Sequence, residues 1–345
     1  AAINETVALS KRVKQSQASG LVNAVLRKIQ TLKLEDLLNR SEDDIQRLSV
    51  ETSHPQWLLE KWLSRYTPDE VSALCSHNNT APQTWIRRNI QIVGSEDFET
   101  FLDGFDIQYK KSDVLDVFYE IDSASFLFST KEFHSGWFSF QDLAAGVVAS
   151  LLEPEAGDTI VDACSAPGGK MAFMSELSGG QAKIIACDAS LTRLVKVREN
   201  VQRLGLKQVD VQVLDAALAP LPEANKILLD VPCSGTGVLN RRPDARWKRQ
   251  ESDITSLVDI QSNILTNSWK YLAPGGLLVY ATCTLEPDEN WELIDSVLEQ
   301  LDHASVEAIE DENLKPYIDE RGALSTLPWR HSMDGMFAVK IRKSL

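Results

Sequence analysis

The apolar positions along the chain change period twice. In residues 16–30, SQASGLVNAVLRKIQ, they fall at Leu21, Val22, Val25, Leu26 and Ile29, the spacing of one helix face. Ser41 to Tyr66 keeps the helical period, with Ser41 expected as an N-cap ahead of Glu42, Asp43 and Asp44, and Pro55 opening a further helix. From Trp85 to Phe128 the short β-prone runs TWIRRNIQIV, IQYKK and VFYEI alternate with one helical stretch and predict a compact α/β module. After WFSFQDLAAGVVASLLEPEAG the pattern becomes apolar runs bounded by turns: DTIVDAC, KIIACD, VDVQVLD, NKILLDVP and GGLLVYATC. Strands that are apolar throughout and alternate with helices predict a doubly wound, mostly parallel, Rossmann-like sheet covered on both faces. In the closing WRHSMDGMFAVKIRK a glycine-containing turn between β-prone flanks predicts two strands that close the sheet antiparallel. The expected division is a helical region at 1–66, a small α/β module at 67–135 and the sheet domain at 136–345.

Composition narrows the class. No run of eighteen apolar residues exists, and AAINETVALSKRVKQ lacks the apolar centre of a signal peptide, so neither a membrane protein nor a secreted one is expected. Without an initiator Met the chain reads as processed or truncated. Five widely spaced cysteines, with no C-x-x-C pair or histidine cluster, predict reduced thiols in a cytoplasmic protein and neither disulfides nor metal. The net charge of −15 argues against a nucleic-acid partner only until its distribution is considered. Glu286 to Glu320 holds thirteen acids against one lysine and is expected to be a solvated helix face, whereas RRPDARWKRQ, Arg241 to Gln250, carries five bases and one acid. Arg241, Arg242, Arg246, Lys248 and Arg249 are therefore candidate phosphate contacts, with a solvated basic helix as the plainer alternative; Trp247 among them is expected to pack.

In a doubly wound sheet, ligands bind beyond the carboxyl ends of the strands. The first such end carries CSAPGGK: Gly168 and Gly169 allow close backbone approach to a cofactor at a helix start. A Gly-Gly turn alone is an ordinary connection, and single aspartates there are ordinary N-caps. Here, however, consecutive strands end in Asp, with Asp188 placed for a ribose, Asp215 for an adenine amino group and Asp230 at the fourth end. Carboxylates repel a pyrophosphate but tolerate an adenosine attached to a cationic sulfonium, which points to S-adenosylmethionine.

Cys233, in DVPCSGTG, and Cys283, in YATCTLEP, follow adjacent strands and should open onto the same crevice. A thiolate adding to carbon 6 of cytosine makes carbon 5 nucleophilic enough to accept a methyl group. The helix starts that follow are expected to help depress a thiol pKa. Cys75, Cys164 and Cys187 read as inert core thiols, with Cys164 lending backbone to the cofactor turn.

Together DACSAPGGK, LLDVPCSGTGVLNRRPDARW and YATCTLEPDEN resemble the Sun/Fmu/Nop2 family of RNA cytosine-5 methyltransferases, most closely its bacterial 16S ribosomal RNA members. GLVNAVLRK resembles the end of their NusB-like RNA-binding domain, and TWIRRN with GWFSFQD their middle module. The resemblance implies that Cys283 is the nucleophile and Cys233 assists release of the product. It also implies that Asp230 holds the cytosine edge, helped by Lys170. The cofactor site would be Cys164, Ser165, Ala166, Pro167, Gly168, Gly169 and Lys170 with Asp188, Asp215 and Asp230. The implied partner is 16S rRNA, at cytidine 967, met by a monomer. Alternatives are the same chemistry on tRNA or another rRNA site, or a non-catalytic ribosome-assembly protein. Ser165, Met171, Asn240 and Arg242 depart from the usual motifs without removing a catalytic group, and the helical region is shorter than the family's.

Overall fold

The computed structural model describes residues 2–345 other than 14, 34, 36, 37, 39, 40, 42, 123 and 124. The chain divides into two compact units, Ala1–Cys75 and Ser76–Leu345. The first is helical, with helices Ala2–Arg12, Ser19–Gln30, Asp44–Thr52 and Gln56–Leu63. The predicted apolar stripe lies on Ser19–Gln30, but only Val22 and Leu26 are partly covered; Leu21, Val25 and Ile29 are exposed. The cap of Asp44–Thr52 is Asp43 rather than Ser41. Asp43 is the residue immediately before the helix with extended backbone, and its carboxylate accepts from the Gln46 amide at 2.7 Å. Glu42 lies outside the described residues. Pro55 precedes Gln56–Leu63 as expected.

The second unit contains two sheets. In the smaller, β1 (Thr84–Arg88), β2 (Tyr109–Lys111), β3 (Phe118–Ile121) and β4 (Phe138–Phe140) lie antiparallel in the order β2-β3-β1-β4. Helix Ser95–Asp103 contributes Phe98 and Leu102 to a core with Ile86, Tyr119 and Phe138. β4 comes from the WFSFQD stretch that the sequence pattern assigns to the following domain. Three aromatic-rich residues carry too little periodicity to reveal a partner, and pairing of Phe140 with Ile86 decides it.

The larger sheet comprises β5 (Thr159–Asp162), β6 (Lys183–Asp188), β7 (Val209–Val213), β8 (Ala224–Asp230), β9 (Leu272–Thr282), β10 (Ala304–Glu307), β11 (Leu324–Ser325) and β12 (Phe337–Lys343). Its order is β10-β12-β9-β8-β5-β6-β7, with β11 on β12. β5 to β9 are parallel, and the order reverses around β5, which opens a crevice at the carboxyl ends of β5 and β8. Alternate residues face opposite cores: Ile160 packs with Phe173 and Val279 on one side, Val161 with Leu229 and Tyr280 on the other.

The closing segment differs from expectation. Only Phe337–Lys343 is a strand; Trp329 to His331 belong to the short helix Pro328–His331, whose first residue, a proline, has its φ preset for a helix and no amide to leave unpaired. The second antiparallel strand is β10, from within the acidic segment. Glu307 on β10 pairs with Lys340 at 2.7 Å and Arg342 at 2.6 Å on β12, and Arg342 above all draws its carboxyl down to about 2. Those acids are therefore not one solvated helix face.

Candidate active site

After β5 the chain turns through Ala163–Gly168 into helix Gly169–Leu177. Gly168, the residue before the helix, has φ +101°, a left-handed backbone that side chains rarely adopt. The turn is tied to its neighbours. The Ala166 amide donates to Asp188 at 3.4 Å, Arg193 donates to the Ala166 carbonyl at 2.9 Å, and Asn200 donates to the Pro167 carbonyl at 3.0 Å.

A cavity of about 190 Å³ opens beside it, lined by Cys164 to Pro167, Gly169, Lys170 and Asp230, together with Asp162, Phe140, Gln141 and Ala145. Both oxygens of Asp162, the Ser165 hydroxyl and the Gln141 side-chain amide nitrogen are buried without a partner at hydrogen-bonding distance. A buried polar group left unpaired costs about 1–3 kcal/mol, so three such side chains around one cavity mark it as built for a ligand. Burial pushes the Asp162 carboxyl up to about 7, the charge of Asp230 adding to the rise; the nearby Ser165 hydroxyl and Cys164 amide draw it down without reaching hydrogen-bonding geometry. An acid facing a small, part-apolar chamber fits the ammonium group of S-adenosylmethionine.

Asp162 and Gln141 are absent from the residues that sequence pattern singles out. Asp162 carries the same signal as its neighbours, an acid ending a strand, whereas Gln141 lies in the chain leaving the small sheet and carries none. Asp188 and Asp215 are not among the cavity's walls. Asp188 is buried, bonds the Ser190 amide at 2.9 Å and faces Arg193 at 3.3 Å; Asp215 is exposed and bonds the Ala217 amide at 3.0 Å. Ser190, not Asp188, caps the helix after β6.

The two thiols meet. Asp230 pairs in register with Ala281, so the loops following β8 and β9 leave the sheet side by side, and the Cys233 and Cys283 sulfurs lie 3.2 Å apart. The Cys283 amide donates to the Cys233 sulfur at 3.3 Å. Against the expectation of a lowered pKa, the Cys233 thiol is held well above its usual range by its hydrogen bond to Cys283, then by burial and by the charges of Cys283 and Glu289. Burial likewise raises Cys164, and Cys187 to about 12; Cys75 and Cys187 are buried core thiols. Lys170 bonds Asp230 at 2.6 Å, and although burial opposes its charge, Asp230, Cys283 and Asp162 together raise its pKa.

The basic run divides. Arg241 is clasped by Asp334, at 2.6 and 2.8 Å, and by Asp142 at 2.6 Å, while Arg246 is buried and donates to Asn79 at 2.7 Å and to the Asn78 carbonyl at 2.8 Å. Both guanidiniums are engaged within the protein. Arg249 bonds the Cys233 carbonyl at 3.3 Å, and Lys248 pairs with Asp244 on the surface. Arg242 and Lys248 face solvent, and Trp247, expected to pack, is 58 % exposed. Two backbones touch behind this run: the Gly335 amide donates to the Gly237 carbonyl at 2.9 Å, and a Cβ on Gly237 would lie 2.2 Å from the Gly335 oxygen.

Among the described residues no group of three or more metal-ligating side chains occurs, and no helix is long and apolar enough to cross a membrane. Residues 149–342 match the family described as 16S rRNA methyltransferase RsmB/F, 54–121 the ferredoxin-like domain of RsmF/B-like methyltransferases, and 1–31 the NusB family. The ribosomal RNA small subunit methyltransferase B of Cronobacter sakazakii is 34% identical over 352 residues, covering 99% of this chain and 77% of its own. That of Pseudomonas putida is 36% identical over 309 residues, covering 86% and 68%. In fold, NSun6 from Pyrococcus horikoshii, solved with SFG, is similar with a TM-score of 0.76 at 23% identity, over 84% of this chain and 98% of that one.

Proposed function

The chain belongs to the 16S rRNA methyltransferase RsmB/F family, and from that membership we propose that it methylates carbon 5 of a cytidine in 16S rRNA, cytidine 967, through a covalent bond from Cys283 to carbon 6. The carrying observation is the pair of thiols 3.2 Å apart at neighbouring strand ends, next to the bonded Lys170 and Asp230. A binding module would need neither sulfur.

The cavity between Asp162, Ser165 and Lys170 would hold S-adenosylmethionine, which supplies the methyl group on a cationic sulfonium. Asp230, oriented by Lys170, accepts from or donates to the cytosine edge and favours its electrophilic form. The Cys283 thiolate then adds to carbon 6, and the electron pair pushed onto carbon 5 would form the new carbon–methyl bond as the sulfur–methyl bond breaks, its electron pair returning to sulfur to leave a neutral thioether, S-adenosylhomocysteine. Loss of the carbon 5 proton to a base restores the ring double bond and expels the Cys283 thiolate, with Cys233 assisting that release. The cytosine must be unstacked to present carbon 6. Arg242 and Lys248, on the surface, can meet flanking phosphates, and exposed Trp247 offers a face for a neighbouring base. On this reading the enzyme works in the cytoplasm, where its RNA is.

Incubating the protein with labelled S-adenosylmethionine and unmethylated 16S RNA tests this. Cys283→Ala should transfer no label, and Cys233→Ala should accumulate a covalent protein–RNA adduct. Wild-type activity in Cys283→Ala would exclude the mechanism.

A further inference from the structure

Glu289 lies in the acidic segment yet is fully buried. Its carboxylate accepts from the Ser234 amide at 2.8 Å, from the Ser234 hydroxyl, and from the Gln261 side-chain amide at 2.9 Å. These donors bracket one thiol. Ser234 is the residue after Cys233, and Gln261 also donates to the carbonyl of Pro232, the residue before it, at 2.8 Å. On the other loop, Thr284, the residue after Cys283, lies 2.6 Å from the Ser234 hydroxyl. Because the Ser234 proton points to Glu289, Thr284 must donate to Ser234, and a continuous hydrogen-bond chain runs from the Cys283 loop to the carboxylate.

Resting on the reading that one thiol attacks and the other assists, we propose that Glu289 is the positioning residue that assigns those roles: it keeps the proton on Cys233 and leaves Cys283 as the nucleophile. Motif spacing alone cannot rank two cysteines at equivalent strand ends. The charges around them can. Glu289 is anchored to the peptides on either side of Cys233, where a second negative charge on sulfur would be repelled in a low-dielectric interior. Cys283, by contrast, interacts with the ammonium of Lys170 and helps to raise its pKa. The protonated Cys233 can then donate its S–H to the Cys283 sulfur at 3.2 Å, stabilising negative charge there. The raised Cys233 pKa agrees with this arrangement, with Glu289 among its causes.

The test needs neither RNA nor cofactor. The full chain is alkylated with iodoacetamide, each thiolate displacing iodide, from about pH 6 to about pH 9, and the modified cysteines are counted by peptide mass spectrometry. In the wild type Cys283 should react first. In Glu289→Gln the Cys233 rate should rise about tenfold relative to Cys283, the change one pKa unit makes in thiolate fraction, with its pH midpoint moving down. Glu289→Asp, which keeps the charge but withdraws it by one methylene, should give an intermediate rise and serves if the Gln variant does not fold. An unchanged ratio and midpoint, or an equal gain at both thiols as from simple loosening, would overturn the proposal. Failure of methyl transfer with the alkylation order still following Glu289 would sink the RNA reading alone.

Discussion

The two sides of the crevice treat their buried polar groups in opposite ways. Around the turn after β5, Asp162, Ser165 and Gln141 keep polar atoms with no partner in hydrogen-bonding geometry, Ser165 and the Cys164 amide only approaching Asp162. Around the thiol loops, Ser234, Thr236, Thr284, Gln261 and Glu289 are buried and bonded to one another or to nearby backbone. The difference separates two tasks. Unpaired groups hold stabilisation in reserve for a molecule that arrives, whereas the closed network fixes a distance the protein must set before anything arrives.

This contrast predicts mutations of opposite sign. The largest change in stability should come from Gln261→Leu, which leaves the Pro232 carbonyl buried without this donor and takes from one oxygen of Glu289 one of its two donors, the Ser234 amide remaining; about 3 kcal/mol should be lost in urea unfolding. Asp162→Asn should instead leave the protein as stable or roughly 1 kcal/mol more stable at pH 8, because a buried charge disappears. The same change should weaken S-adenosylmethionine binding roughly 10- to 100-fold by calorimetry. A loss of stability in Asp162→Asn matching that of Gln261→Leu would erase the distinction.

A pH series probes the same contrast. The Asp162 carboxyl rises on folding from 3.8 to about 7, so its contribution to stability is complete below about pH 4 and lost as pH climbs through 7. Its ability to meet a cation changes the other way, and cofactor affinity should increase from pH 6 to about pH 8 in the wild type and stay level in Asp162→Asn. The smallest effect belongs outside both regions. Trp247→Ala should raise the KM for RNA roughly fivefold, about 1 kcal/mol, with cofactor affinity and unfolding midpoint unchanged.

Much of the sheet was legible because apolar runs ending in acids or thiols show both the strand and the end that opens onto the crevice. Cys233 and Cys283 could be brought together from strand adjacency alone. Glu289 could not: a string of thirteen acids looks solvated, and whether one turns inward depends on Ser234 and Gln261, donors supplied 55 and 28 residues away. Arg246 is the mirror case, a base in a charged run drawn inside by Asn78 and Asn79 more than 160 residues earlier. Sign patterns along a chain record charge, while burial of charge is decided by partners from elsewhere. Three-residue β4 and four-residue β10 failed for a simpler reason, being too short to show a period.

The position of β12 has a consequence for biogenesis. β9 delivers Cys283, and its second edge is covered only by β12, synthesised some fifty residues later and slotted antiparallel between β9 and β10. Until that strand leaves the ribosome, β9 has an open apolar edge, and the Gly335 backbone that seals against Gly237 is missing. A chain made only as far as β9 therefore carries both sulfurs but no finished crevice, and the two thiols are framed only once β12 has paired.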